Sequence, residues 1–313
     1  MIVVAGEALV DLVAEEGARF RAVPGGSPAN VAVGLARLGR PTQMLARLGT
    51  GRFGRIIRDH LTANGVGLDL AVAAKEPATV AVVTLDSAGR ASYDFYVDGT
   101  ADWGWSPEEL PAVLPTGTAA LCTGSLAVAL EPAATMLTHL MSRESARGVS
   151  VVLDPNMRPT LIGDRRTAGR RLEAQVTSAD VVKVSDEDLA WVAPDESPTD
   201  VASRWLERGP RLVVVTRGGA GASGLTLDGA RVDVPAYPVH VVDTVGAGDA
   251  FTAGLVDALA RHDLLGGTGR DRLGRCDTGT LRSVLERATL VAALTCARRG
   301  ADPPSAAEVA AVS

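Results

Sequence analysis

Short β-branched runs alternating with helix-patterned stretches constrain this chain most. Residues 2–5 read as a strand and 28–38 as a helix, then 43–48 as a strand and 53–63 as a helix. The same rhythm resumes with strand 119–122, helix 132–147, strand 150–153, helix 165–177 and strands 181–184 and 212–216. Parallel strands need crossover connections, usually helices, so the succession predicts an α/β fold: a largely parallel β-sheet flanked by helices on both faces. The order reads as one continuous domain over residues 1–313. Two segments break the rhythm. Residues 11–23 and 79–98 look like hairpins, the second turning at Asp86-Ser87-Ala88-Gly89. Inserted at about 11–23 and 78–100, they form either a small β lid that excludes water from a reaction centre or an edge decoration. The glycine-rich tract 262–279 reads as a solvated loop without function.

With 313 residues, 46% of them apolar, the chain can bury the core such a fold needs. A net charge of −6 with no long basic stretch argues against a nucleic-acid partner, and no run of about 18 apolar residues could span a membrane. Lys75 and Lys183 are the only lysines, neither in a Gly-Lys-Ser/Thr element, which excludes a Walker-type phosphate loop. Cys122, Cys276 and Cys296 are odd in number and far apart, which argues against a disulfide framework or zinc site and fits a cytoplasmic location. The first residues carry Glu7 and Asp11 without a basic lead-in, so no signal peptide is expected. The four histidines show no ligand spacing.

Chemistry concentrates in Asp243-Thr244-Val245-Gly246-Ala247-Gly248-Asp249-Ala250-Phe251, between a strand-like run at 239–242 and an apolar-periodic helix. A helix start with so little side chain leaves its N–H groups open to an anion, which the helix dipole also favours. Asp249 would repel that anion unless it serves as a base. The pattern suggests phosphoryl transfer onto a hydroxyl, although a tight strand-to-helix turn fits these residues as well. Pro24-Gly25-Gly26-Ser27-Pro28-Ala29-Asn30 opens the first helix, with Ser27 expected as N-cap, Pro28 at its first position and Asn30 at its third. With Asp11 it could offer a polyol carboxylate and amide hydrogen bonds, or it could be a solvated turn.

These two segments, in this order, resemble the two signatures of the ribokinase-type (PfkB) carbohydrate kinases, and the resemblance runs from Val3 to about Pro304. It implies a ribokinase-like fold and an ATP-dependent sugar kinase that uses Mg2+. Asp249 would be the base, with the N–H groups of Gly246, Ala247 and Gly248 as an anion hole for the γ-phosphoryl. Asp11, Gly25, Gly26 and Asn30 match the sugar-contacting positions; Lys183, Ser185, Thr216, Gly218 and Gly221, with Gly246 and Gly248, fall to the nucleotide side. Asp243 and the segment 299–301 resemble loops that hold a monovalent cation, such as K+. A homodimer through the lid is the pattern of lid-paired relatives.

Some positions depart from the family. Ser185-Asp186-Glu187-Asp188 stands where Asn-x-x-Glu is usual, so Asp188 would reach magnesium only through water, and Gly51 replaces a customary Asp. Asp154-Pro155-Asn156-Met157-Arg158 resembles an element of fructokinases and 2-keto-3-deoxygluconate kinases. There Asn156 and Arg158 could meet substrate or phosphate, a guanidinium fork suiting either, unless Arg158 is spent in a surface ion pair. Tyr93 and Phe95-Tyr96 on the lid could stack on a sugar face or fill the hairpin's own core; Val97 follows where an Arg is common. A fructokinase-like ketohexose acceptor is favoured over a keto-deoxy acid, ribose or a nucleoside.

Two other classes compete: a sugar-binding protein without catalysis, and a dinucleotide-binding oxidoreductase suggested by Gly219-Ala220-Gly221-Ala222-Ser223-Gly224. The latter fingerprint must open a helix, whereas 225–234 reads as a hairpin around Asp228-Gly229.

Overall fold

The structure, a computed structural model, describes residues 1–85 and 91–312. In chain order the strands are β1 (Ile2–Ala5), β2 (Leu9–Ala14), β3 (Phe20–Gly25), β4 (Thr42–Leu45), β5 (Arg47–Gly49), β6 (Val72–Ala74), β7 (Val80–Leu85), β8 (Ala91–Tyr96), β9 (Ala120–Gly124), β10 (Ser150–Asp154), β11 (Val181–Ser185), β12 (Leu212–Thr216), β13 (Ala222–Thr226) and β14 (Arg231–Val234). The helices are α1 (Ser27–Arg37), α2 (Arg52–Ala63), α3 (Ala133–Ala146), α4 (Pro159–Ile162), α5 (Arg165–Val176), α6 (Asp186–Val192), α7 (Pro198–Leu206), α8 (Ala247–Arg261), α9 (Gly269–Gly274), α10 (Thr278–Cys296) and α11 (Ala306–Ala310).

The main sheet runs β14-β13-β12-β11-β10-β9-β1-β4. Every pairing from β4 to β12 is parallel, and only β13 and β14 join antiparallel, as the hairpin expected around Asp228-Gly229. Alternate residues of one strand enter opposite cores. Ile2 and Val4 pack with Leu35 of α1, Leu255 of α8 and Leu285 of α10, whereas Val3 and Ala5 pack with Leu137 of α3, Leu172 of α5 and Trp205 of α7. A strand covered on both faces needs an apolar residue at each position, which is why 2–5 and 212–215 read as unbroken apolar runs.

A second sheet, β3-β2-β7-β8, contains both expected hairpins; the turn assigned to 86–89 lies outside the described residues. Its register sets Asp11 opposite Ala81, Ala81 opposite Phe95, and Val83 opposite Tyr93. Side chains alternate along a strand, so Asp11, Tyr93 and Phe95 share one face and Tyr96 takes the other.

Three local expectations fail. Residues 239–242 form no strand: Pro235 and Pro238 lack the N–H a ladder needs, Val241 and Val242 are exposed, and the Val242 N–H donates to the Cys296 carbonyl at the end of α10. The run 43–48 divides between β4 and β5, which belong to different sheets. The tract 262–279 is not a solvated loop. It buries Leu264 and Leu273, forms α9, ties the Gly266 N–H to Ser150 Oγ and pairs Arg270 with buried Asp180. No helix among the described residues is long and apolar enough to cross a membrane.

Candidate active site

The carboxyl ends of the parallel strands converge with the amino ends of α1 and α8. That edge is where open α/β sheets leave a crevice. Gly26, at φ 101, caps α1, so Ser27 is the first helical residue, Pro28 the second and Asn30 the fourth, each one place later than expected. A side chain at position 26 would put Cβ 2.8 Å from the Glu7 carbonyl oxygen, so only glycine lets the chain enter the helix here. Freed from capping, Ser27 Oγ donates to Asp249 Oδ1 at 2.6 Å, and Asn30 Nδ2 donates to Asp249 Oδ2 at 2.8 Å.

Asp249 is the third residue of α8 and only 7% exposed. Burial raises its pKa above the ordinary carboxylate range; the bonds from Ser27 and Asn30 oppose that rise, and the negative charge of Asp154 adds to it. Gly246 caps α8 in the left-handed region at φ 75, swinging the chain from 243–245 into the helix. The expected three-donor anion hole loses a member. The Ala247 N–H donates to the Thr244 carbonyl, closing the turn, whereas those of Gly246 and Gly248 have no acceptor among the described residues. Asp243 fastens the same corner, accepting from the Val245 N–H at 3.1 Å and the Gly300 N–H at 2.8 Å, so its carboxylate is first a clamp on the loop at 299–301.

Asp11 reaches this centre from the second sheet. Burial, then the charge of Asp249, push its pKa up to about 6, while Arg158 pulls it down. Gly25 leaves room for it: a Cβ there would lie 2.5 Å from Asp11 Oδ2. Tyr93 and Phe95 stack with centroids 5.8 Å apart, and the Tyr93 hydroxyl lies within the field of Asp11, Arg158, Asp243 and Asp249. Tyr96, 63% exposed on the opposite face, separates from Phe95, so the aromatic pair facing the site is Tyr93 with Phe95. Arg158 makes no ion pair among the described residues; its Nη1 donates to Asn156 Oδ1 at 2.6 Å and to the carbonyls of Asn156 and Met157.

On the nucleotide side, Ser185 and Thr216 end neighbouring strands in register. Gly218 and Gly219 border open space, whereas Gly221 is required by packing, since a Cβ there would fall 2.0 Å from the Val234 carbonyl oxygen. Lys183 pairs with Asp154. It is 4% exposed beneath α8, with Nζ 2.9 Å from Asp154 Oδ2 and 3.3 Å from where a Cβ on Gly248 would sit. Asp188 completes the capping box of α6 with Ser185 and accepts the Met157 N–H at 2.9 Å, so its carboxylate already holds two loops. No three His, Cys, Asp or Glu gather to hold a metal among the described residues.

The sequence reading missed Ser27 as a partner of Asp249, and Asp154, whose Oδ2 accepts from both Lys183 and Thr252. The available signal was spacing. Ser27 with Asn30, and Asp249 with Thr252, are three apart and so share a helix face.

Residues 1–308 match the model of the pfkB family carbohydrate kinases. The chain belongs to this family. It is 38% identical to a fructokinase of Rhizobium leguminosarum bv. trifolii over 271 residues, covering 85% of this chain and 81% of that protein. Among solved structures, a Xylella fastidiosa fructokinase with bound ATP superposes with a TM-score of 0.91 at 30% identity, over 99% of this chain and 97% of that one. A Vibrio cholerae O395 fructokinase double mutant, bound to fructose, ADP and potassium ion, superposes at 0.86 with 28% identity, over 99% and 97%. The PfkB resemblance, the ribokinase-like fold and the carbohydrate-kinase activity expected from the sequence are therefore borne out, and the protein is a fructokinase-like, ATP-dependent sugar kinase.

Proposed function

We propose that this PfkB kinase phosphorylates a ketohexose, fructose above others, within a single domain whose second sheet serves as lid. The observation that carries the assignment of roles is the meeting of three groups: the buried carboxylate of Asp249, the open N–H groups of Gly246 and Gly248, and Asp11 within electrostatic reach of Asp249. The acceptor hydroxyl gives its proton to Asp249 as its oxygen bonds to the γ-phosphorus. The bond from that phosphorus to the β-phosphate oxygen breaks, ADP leaves, and Asp249 passes its proton to solvent. Phosphoryl transfer of this kind depends on positioning and charge neutralisation more than on covalent chemistry.

Asp11, Gly25, Gly26, Asn30 and Asn156 hold the sugar, Tyr93 and Phe95 cover it, and Arg158 meets the phosphate. Ser185, Thr216 and Gly218 border the nucleotide. Magnesium takes oxygen ligands and keeps several waters; with Asp154 and Asp188 as the nearby oxygen donors, it would be held mainly by phosphate and water, and when bound it neutralises the transferring phosphates. The clamp at Asp243 suits a potassium ion beside the anion hole, and the Vibrio fructokinase structure is one with potassium ion bound. Exposed Phe20 and Tyr96 on the lid support a homodimer formed there, and the reduced-thiol composition supports a cytoplasmic enzyme.

The test is ATP consumption over a panel of fructose, 2-keto-3-deoxygluconate, ribose and a nucleoside. Fructose should give the highest kcat/KM. A larger value for another acceptor reassigns the sugar, and no turnover on any of them sinks the kinase roles given to these residues.

A further inference from the structure

An unbroken set of hydrogen bonds leads into Asp249 from the loop after β10. Arg158 Nη1 donates to Asn156 Oδ1 at 2.6 Å, Asn156 Nδ2 donates to Ser27 Oγ at 2.9 Å, and Ser27 Oγ donates to Asp249 Oδ1 at 2.6 Å. The directions are forced. An amide nitrogen can only donate, so Ser27 must accept from Asn156 and spend its one proton on the carboxylate. Asn156 holds a left-handed backbone at φ 38, unusual for a non-glycine residue and upheld here by the two bonds of its own amide group.

We propose that Ser27 is a positioning residue for Asp249, carrying the orientation set by Asn156 and Arg158 to the catalytic carboxylate. Asn30 holds Oδ2 from the same helix face, so the two donors fix the plane of the carboxylate and leave the remaining lone pairs to the acceptor hydroxyl. Asn30 alone would leave the group free to rotate about Cβ–Cγ. A misaligned base is costly because proton transfer needs hydrogen-bond geometry at the reacting hydroxyl. The other charged or titratable groups around Asp249 are Asp11 and Tyr93 from the lid, Asp154 from β10 and Lys183 from β11, and none of them binds Asp249 directly. The proposal rests on Asp249 being the base.

The experiment compares Ser27→Ala, Ser27→Thr, Asn156→Ala and Asp249→Asn by kcat and KM for fructose and ATP from pH 5 to 9. Loss of a bond to the ionised form should move the acid limb of kcat upward by about one pH unit in Ser27→Ala, since a bond to a charged group is worth about 1.5 kcal/mol and one unit is 1.36 kcal/mol. On the acid limb, below the parent's own midpoint, its kcat should fall about tenfold with KM for ATP unchanged; Ser27→Thr should restore most of it, and Asn156→Ala should shift the limb the same way by less. An acid limb that stays in place in soluble Ser27→Ala, or a loss confined to KM for ATP or to melting temperature, overturns the role of Ser27. Normal turnover by Asp249→Asn instead removes the base itself, a separate and distinguishable failure.

Discussion

Asn30 on α1 and Asp249 on α8 join two helix starts: the amide nitrogen of one lies 2.8 Å from a carboxylate oxygen of the other, across 219 residues of chain. Because Asn is nearly isosteric with Asp, Asp249→Asn should keep this junction and the fold while losing the ability to take a proton. We expect kcat to fall by about 10² or more with nucleotide affinity within a few fold, measured by steady-state kinetics and ATP titration. Turnover within tenfold of the parent enzyme would remove Asp249 from its role.

Asp11 should make sugar binding pH-dependent. Its pKa stands at about 6, raised first by burial and then by the charge of Asp249. The ionised form is the better acceptor for sugar hydroxyls, so KM for the sugar should climb as pH drops through 6, by roughly tenfold at one unit below that value. Asp11→Asn should have a high KM that no longer changes with pH. A parent KM that is flat between pH 7 and 5 would show that this carboxylate does not bind the sugar.

Gly246→Ala should damage the anion hole. Position 246 has φ 75, and an added Cβ would lie 2.5 Å from Ala301 Cβ. Left-handed backbone costs about 1 kcal/mol for a non-glycine residue and overpacking about 1–3 kcal/mol more. A lower melting temperature and a loss of about 10² in kcat/KM for ATP are expected. Gly219→Ala is the control, because nothing lies within 4 Å of its added Cβ, and it should behave like the parent. Equal effects of the two changes would refute a special demand at 246.

Glu7 and Asp102 should make the fold less stable as pH rises. Both are buried: Glu7 Oε2 accepts the Ala127 N–H, Asp102 Oδ1 accepts the Ala8 N–H, and neither carboxylate pairs with a cation among the described residues. Burial holds their pKa values at about 7 and about 6, above those of the unfolded chain. The folded state therefore keeps protons that the unfolded state has already lost, and its stability falls across the window from about pH 4 to 7. Glu7 alone accounts for a loss of at most roughly 3 kcal/mol by pH 8. Glu7→Gln should flatten that slope in urea unfolding from pH 5 to 8, and a slope unchanged by the substitution would contradict the assignment.

Local patterns carried much of this in the sequence. The unbroken apolar runs at 2–5 and 212–215 announced strands buried on both faces, and the strand-like runs on either side of a turn signal at 79–98 announced the β7–β8 hairpin. Glycine at 246 followed by Asp249 marked an anion-friendly helix start with a carboxylate in its first turn. Where local pattern and tertiary demand disagreed, the prediction failed. Residues 239–242 are β-branched but cross the surface between prolines, and the glycines of 262–279 obscured the buried Leu264 and Leu273.

The sequence by itself determined the fold class and the phosphoryl-transfer signature and singled out Asp249 as the candidate base, because each depends on residues close together in the chain. Tertiary structure decided which groups surround that carboxylate. Ser27 looked like a helix cap and became its donor, Lys183 is buried against Asp154 beneath α8, and Ala247 gives its N–H to a turn. The Ser27–Asp249 bond spans 222 residues, and no periodicity of 2 or 3.6 can encode it; only the packing of α1 against α8 over a shared sheet brings those two helix starts within hydrogen-bond distance.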